Sequence, residues 1–177
     1  MAKNGSHVIH YTHLETQIGR LLIAWTGSNL TGLYFENHRG GPSPAVIASV
    51  PMIGDGSRSR KSPLVRDLGR QLGEYFCGKR KSFDVPFHPH GTPFQMKVWQ
   101  TLRDIPYGEV VTYSELARHI GNPAAVRAAG TATGRNPISI LIPCHRVVGA
   151  QGHLTGYAGG LEMKRRLLSI ETATDGN

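Results

Sequence analysis

Short apolar runs broken by turn residues fill the first part of the chain. Val8-Ile9-His10-Tyr11, Leu21-Leu22-Ile23-Ala24-Trp25 and Leu30-Thr31-Gly32-Leu33-Tyr34-Phe35 follow one another, the last two across Gly27-Ser28-Asn29. That pattern predicts an antiparallel meander with tight turns. Residues 37–62 are rich in Gly, Pro, Ser and Arg with few apolar anchors, which predicts a long, mobile surface loop. Leu64, Leu68, Leu72, Tyr75 and Phe76 recur at helical spacing, and Gly78 marks the stop. Lys79-Arg80-Lys81 reads as a solvated basic turn, and Phe83-Asp84-Val85-Pro86-Phe87 as one more strand. His88-Pro89-His90-Gly91-Thr92-Pro93 reads as a linker. This places one domain at 1–90, a second at 91–171 and a frayed tail at 172–177.

The pattern then turns helical. Phe94, Val98, Trp99 and Leu102 form one stripe that ends before the turn signal Pro106-Tyr107-Gly108. Thr112 with Glu115 three residues on is a capping box, and Leu116, Ala117 and Ile120 supply the buried face behind it. Gly121-Asn122-Pro123 separates this helix from another, spanning 124 to about 133, which makes a helix-turn-helix. The second helix, Arg127-Ala128-Ala129-Gly130-Thr131-Ala132-Thr133-Gly134, has almost no large side chains. Two readings stand equal: tight packing on another helix, or a thin helix pressed into a nucleic-acid groove, the minor groove being only ~6 Å wide. Ile138-Ser139-Ile140-Leu141-Ile142 predicts a buried strand, and Leu161, Lys164, Leu167, Leu168 and Ile170 a last helix ending near Glu171.

Charge adds a candidate partner without placing it. The formal charge is +8 over 177 residues, which suits a polyanion such as nucleic acid or simply aids solubility. Residues 1–90 carry 11 Lys+Arg against 6 Asp+Glu, and residues 91–171 carry 9 against 5, so neither half is the obvious footprint. No N-terminal apolar stretch resembles a signal peptide, and no run approaches the ~20 apolar residues of a membrane span. The expectation is a soluble cytoplasmic protein with no membrane association. Cys77 and Cys144 are too few for a disulfide framework, and no Cys/His cluster has metal-ligand spacing, so no metal site is expected. Cys77 reads as a small buried residue at a helix end.

The chemistry concentrates in Pro143-Cys144-His145-Arg146-Val147. A thiol becomes a strong nucleophile as thiolate, and an adjacent base or cation favours that form. Downstream lies a glycine-rich loop, Gly152-His153-Leu154-Thr155-Gly156-Tyr157-Ala158-Gly159-Gly160, without the lysine and spacing of a phosphate-binding loop.

These motifs together resemble the O6-alkylguanine-DNA alkyltransferases. The likeness rests on Pro143-Cys144-His145-Arg146-Val147, Asn136-Pro137, Gly156-Tyr157 and Gly159-Gly160. It extends through Ile105-Pro106-Tyr107-Gly108-Glu109, Tyr113-Ser114-Glu115-Leu116-Ala117 and Arg127-Ala128-Ala129-Gly130, and covers roughly residues 91–171. It implies an α/β N-terminal domain of ribonuclease-H-like topology, with a small antiparallel sheet plus helix. A mostly α C-terminal domain with a winged helix-turn-helix would follow. It implies direct reversal of DNA alkylation: the alkyl group on O6 of guanine, or O4 of thymine, moves irreversibly to the protein's own cysteine, once per molecule and without a cofactor. The expected partner is double-stranded DNA carrying alkylated bases, bound by a monomer with cooperative assembly on DNA as a further expectation.

The resemblance also implies roles. Cys144 is the nucleophile, His145 the base acting through a water, and Glu171 the carboxylate that orients the imidazole. Asn136 ties the recognition helix to the cysteine segment. Tyr113 protonates the purine ring and crowds the neighbouring phosphate. The carbonyls of Cys144 and Val147 accept from the guanine amine, the Ala158 N–H donates to O6, and Tyr157 helps to form the base pocket. Arg127 fills the vacancy left by a flipped nucleotide, within a DNA-binding set that includes Ala128, Ala129, Gly130 and Arg135. The family often has serine where this chain has Ala158, so a hydroxyl is lost there while the backbone donor stays.

Overall fold

The computed structural model describes residues 8–49 and 62–173. Three strands form the expected antiparallel meander: β1 (His10–Thr16), β2 (Gly19–Thr26) and β3 (Asn29–Phe35), in the order β1-β2-β3. β1 starts later than the apolar run suggested and extends through Glu15, which pairs with Arg20 across the turn at 2.6 Å. The inward positions Leu21, Ile23, Leu30 and Leu33 are fully buried. Part of the expected surface loop is a helix, α1 (Pro44–Ser49), which sets Ile47 against the outer face formed by Tyr11, Leu22 and Ala24. Residues 50–61 lie outside the described residues, as do 174–177 of the tail.

Helix α2 (Pro63–Phe76) buries Val65, Leu68, Leu72 and Tyr75 under the sheet, and Gly78 accepts the left-handed φ of 70° just past its end. The basic turn after it is braced as well as solvated, because Arg80 pairs with Glu74 at 2.7 Å and Asp84 at 2.9 Å. Residues 83–87 do not form the expected strand. Only an isolated parallel bridge joins Phe87 to Leu30, since Pro86 has no N–H to extend a ladder. Cys77 is exposed rather than buried; its helix ends on the surface beside Gln17.

Helix α3 (Pro93–Arg103) opens on a complete capping box between Thr92 and Gln95. Strand β4 (Val111–Thr112) leads into α4 (Tyr113–His119), where the predicted Thr112–Glu115 box has both of its hydrogen bonds. A 3₁₀ turn at Pro123–Ala125 then gives way to α5 (Val126–Gly134), completing the helix-turn-helix. The Trp99 indole donates to the Ala132 carbonyl at 2.9 Å, tying α3 to α5. β4 pairs in parallel with β5 (Val147–Val148), and α6 (Leu161–Thr172) closes the described chain.

The apolar run before Cys144 is buried but is not a strand. Ile140 takes a φ of 73°, a rare value for a β-branched residue, and the backbone reverses there so that Ser139 and Ile142 bridge each other. The far edge of β3 holds this segment: Leu33 N donates to Pro137 O at 2.8 Å, and Ser139 N donates to Leu33 O at 3.0 Å. One apolar core therefore runs from the sheet through Val98, Trp99 and Leu102 to Ile138, Ile142 and Leu167. Among the described residues no helix is long and apolar enough to cross a membrane.

Candidate active site

The backbone reversal at Ile140 delivers Cys144 to the first position of a 3₁₀ turn, Cys144–Arg146, instead of to a strand end. The thiol is 5% exposed. Asn136, just past the end of α5, holds it in place. Its side-chain N–H₂ donates to Cys144 Sγ at 3.1 Å and to the Ile142 carbonyl at 2.8 Å, while its oxygen accepts from Ile138 N at 3.0 Å. Asn136 thus ties the end of α5 to the cysteine segment. Burial pushes the thiol pKa up, and the Asn136 donor and the Lys164 cation counter it only in part. The resting group is a thiol, so attack requires a base.

His145 is fully buried, and its Nε2 lies 2.8 Å from Glu171 Oε1. Burial lowers the imidazole pKa and outweighs the upward pull of Glu171, which makes His145 a neutral imidazole at physiological pH. Arg146 and His145 hold Glu171 far below the usual carboxylate range despite its burial. An ionised carboxylate only accepts, so the imidazole proton sits on Nε2 and Nδ1 carries the lone pair. Nδ1 is buried with no hydrogen-bond partner. Cys144, His145 and Glu171 are the residue types that triad chemistry uses as nucleophile, base and orienting acid, and His145 Nδ1 is free of any hydrogen bond.

Around the sulfur lies a cavity of about 220 Å³, lined by Cys144, Tyr113, Gly130, Thr133, Gly134, Gly156, Tyr157, Ala158 and Arg39. Tyr113 begins α4 half-buried, and burial raises its phenol pKa. Tyr157 is 9% exposed, with its phenol pushed up for the same reason. The Ala158 carbonyl accepts from Arg39 N at 3.0 Å, which anchors the glycine-rich loop to the turn after β3. Val147 is not among the lining residues; its carbonyl already accepts from Lys164 Nζ at 2.5 Å. The outer face of the helix-turn-helix carries a second hollow, of about 590 Å³, where Arg127, Ala128 and Arg135 are exposed beside Thr92 and Phe94. Ala129 faces the core, fully buried, and Gly130 packs near the Tyr113 ring.

Two family profiles divide the chain between them. The 6-O-methylguanine DNA methyltransferase ribonuclease-like domain matches residues 9–89, and the DNA binding domain of the same family matches residues 93–173. A methylated-DNA–protein-cysteine methyltransferase of Methanosarcina acetivorans is 45% identical over 163 residues, covering 92% of this chain and 98% of its own.

The chain belongs to the 6-O-methylguanine DNA methyltransferase family.

Solved family members share its fold. The crystal structure of Mycobacterium tuberculosis O6-methylguanine methyltransferase superposes with a TM-score of 0.79 at 42% identity, covering 94% of each chain. The same organism's enzyme in complex with DNA gives 0.76 at 40% identity, covering 93% of this chain and 94% of that one. The ribonuclease-like half and the helix-turn-helix half are therefore family architecture.

Within this family framework, several site residues escaped the sequence reading. Arg146 is 7% exposed and grips Glu171 from Nε and from Nη2, each at 2.9 Å, with Nη1 on the Ile105 carbonyl at 2.6 Å. The Tyr75 hydroxyl donates to Glu171 Oε1 at 2.6 Å from α2, so the N-terminal half reaches the buried Glu171 carboxylate. Gly108 N donates to Glu171 Oε2 at 3.1 Å, which gives the turn 106–108 a role beyond ending α3. Lys164 is wholly buried, and desolvation lowers its pKa to about 8. A lysine inside a helical apolar stripe was the one available signal for it.

Proposed function

We propose that this chain repairs alkylated duplex DNA by taking the alkyl group from O6 of guanine onto Cys144, once per molecule. The observation that carries the proposal is the placement of Cys144 in the lining of a cavity of about 220 Å³ beside Tyr113, Tyr157 and Ala158, with Asn136 at 3.1 Å from its Sγ and with His145, the next residue, hydrogen-bonded to Glu171 at 2.8 Å. A base inside a duplex cannot reach a buried thiol, so the nucleotide is everted, at a cost of a few kcal/mol of unstacking. Arg127, exposed at the start of α5, fills the vacancy, with Ala128, Gly130 and Arg135 close to the DNA backbone. Ala129 supports the helix from its core side.

The step balances as follows. The Cys144 proton passes through a bridging water to His145 Nδ1, leaving the imidazolium beside the Glu171 carboxylate. The sulfur attacks the alkyl carbon, an S–C bond forms and the C–O6 bond breaks. Charge leaving on O6 is met by the Ala158 N–H and neutralised by a proton from the Tyr113 hydroxyl to the purine ring, and the imidazolium proton, passed on through water, restores the phenol. The product is a thioether, and nothing at the site is equipped to cleave it. Thymine alkylated at O4 is a second substrate of the same geometry. Duplex DNA is bound by a monomer chiefly through phosphate contacts, so affinity weakens with salt, with cooperative assembly along the strand. The function divides between a supporting unit at 1–90 and an acceptor unit at 91–171, in a cytoplasmic protein.

The test uses a duplex carrying one O6-methylguanine. The wild-type chain should remove the lesion, while Cys144→Ala should bind the same duplex and remove none. Lesion loss with the Ala variant would overturn the nucleophile assignment. A non-catalytic sensor of alkylated DNA is the rival reading, and it predicts binding without lesion loss by either chain.

A further inference from the structure

Lys164 is the unusual group that the proposed chemistry leaves unused. It sits in the second turn of α6, wholly buried, and no carboxylate pairs with its ammonium among the described residues. Burying an unpaired ammonium is costly, so its retention calls for specific compensation. The compensation is two backbone carbonyls: Nζ donates to Val147 O at 2.5 Å and to Thr155 O at 2.8 Å. These carbonyls belong to the two segments that flank the cavity. Val147 lies three residues after Cys144 and opens β5; Thr155 immediately precedes Gly156, where the cavity-lining part of the glycine-rich loop begins.

Between them the chain makes an excursion closed by Gly149 N donating to His153 O at 2.8 Å. Lys164 spans the base of that excursion. The loop's other end is fixed separately, by Arg39 N on the Ala158 carbonyl at 3.0 Å. A loop this rich in glycine has little stiffness of its own, since glycine loses the most backbone freedom on ordering. Its geometry therefore has to come from ties at its two ends.

We infer that Lys164 is a positioning residue, a buried two-pronged clamp that holds the glycine-rich loop against the Cys144 segment so that the loop's backbone donor meets the departing base. This inference rests on the alkyl-acceptor reading of Cys144. The clamp itself is a statement about loop order, measurable without any alkyl transfer. Neutral Met, of similar length, fills the space but donates to neither carbonyl; Arg keeps the cation and its donors.

The experiment compares Lys164→Met and Lys164→Arg with wild type. One readout is single-turnover alkyl transfer at saturating O6-methylguanine duplex; the other is amide hydrogen exchange in the DNA-free protein. Lys164→Met should slow transfer by about tenfold to a hundredfold, the scale of a misplaced catalytic group, with duplex Kd unchanged within about twofold. The Gly149 and Arg39 amides, which report on the loop carbonyls, should exchange about tenfold faster or more, while the core helix α3 stays protected. Lys164→Arg should recover most of both. Transfer by Lys164→Met at the wild-type rate, or slowed transfer with loop exchange unchanged, overturns the clamp. If Lys164→Met does not fold, Lys164→Gln, which keeps one short donor, is judged by the same two readouts. If wild type transfers nothing, the acceptor reading fails, and the exchange data still decide the clamp.

Discussion

Glu171→Gln removes one charge from the centre of the site, and its consequences follow from the contacts. Glu171 is fully buried and receives Arg146 from two nitrogens, His145 Nε2, the Tyr75 hydroxyl and the Gly108 N–H. Gln keeps the shape but turns one acceptor oxygen into a donor facing donors, and it leaves the Arg146 guanidinium buried without its counter-ion. Breaking a buried pair in this way costs about 3–5 kcal/mol. A chain of this size loses about 2–4 °C of Tm per kcal/mol, so the melting point should fall by roughly 6–20 °C. The imidazole also loses the acceptor that fixes its proton on Nε2. General-base assistance contributes about 10²- to 10⁴-fold, and transfer at a temperature where the variant is folded should fall within that range. Guanidinium denaturation with single-turnover transfer measures both. A stability loss under about 1 kcal/mol together with unchanged transfer would refute the reasoning, because a carboxylate with these partners cannot be neutralised freely.

Three further outcomes are expected. Arg127→Ala should slow repair of duplex DNA far more than reaction with the free alkylated base, because only the duplex requires eversion; equal losses on the two substrates would remove the residue from that role. At Gly159 an added methyl would press into the Phe35 ring, so Gly159→Ala should destabilise by about 1–3 kcal/mol in guanidinium denaturation; a neutral effect would mean that this contact is not packed. Acid should destabilise the fold by way of His38 and His145. Burial lowers His38 from 6.5 to about 4 and lowers His145 as well, so the unfolded chain takes up protons first. The His38 contribution is whole above pH 6.5 and is lost as pH falls toward 4, with His145 adding loss in the same direction, and a denaturation midpoint equal at pH 8 and pH 5 would contradict it.

Much of this was legible along the chain because periodicity and capping are local. The stripe Val98, Trp99, Leu102 and the Thr112–Glu115 box each place their helix within a residue or two. The misread segments share a cause. An apolar run such as 138–142 shows that it is buried, but not whether its backbone extends or reverses, and the positive φ at Ile140 leaves no trace in residue type. Cys77 was expected to be buried on the general habit of cysteine, whereas its exposure depends on where α2 ends relative to the sheet. The partners of Glu171 were the least accessible. Tyr75 and Gly108 come from 96 and 63 residues away, and a tyrosine on an apolar helical face looks like any core aromatic.

The central claim is a single alkyl acceptor used once. Titrating a fixed amount of protein with excess O6-methylguanine duplex, then mapping the protein peptides by mass, tests it most directly. Repair should plateau at about one lesion per chain, with one methylene gained on the Cys144 peptide and none on the Cys77 peptide. Continued repair past that plateau, or an unmodified Cys144 after repair, would contradict the account.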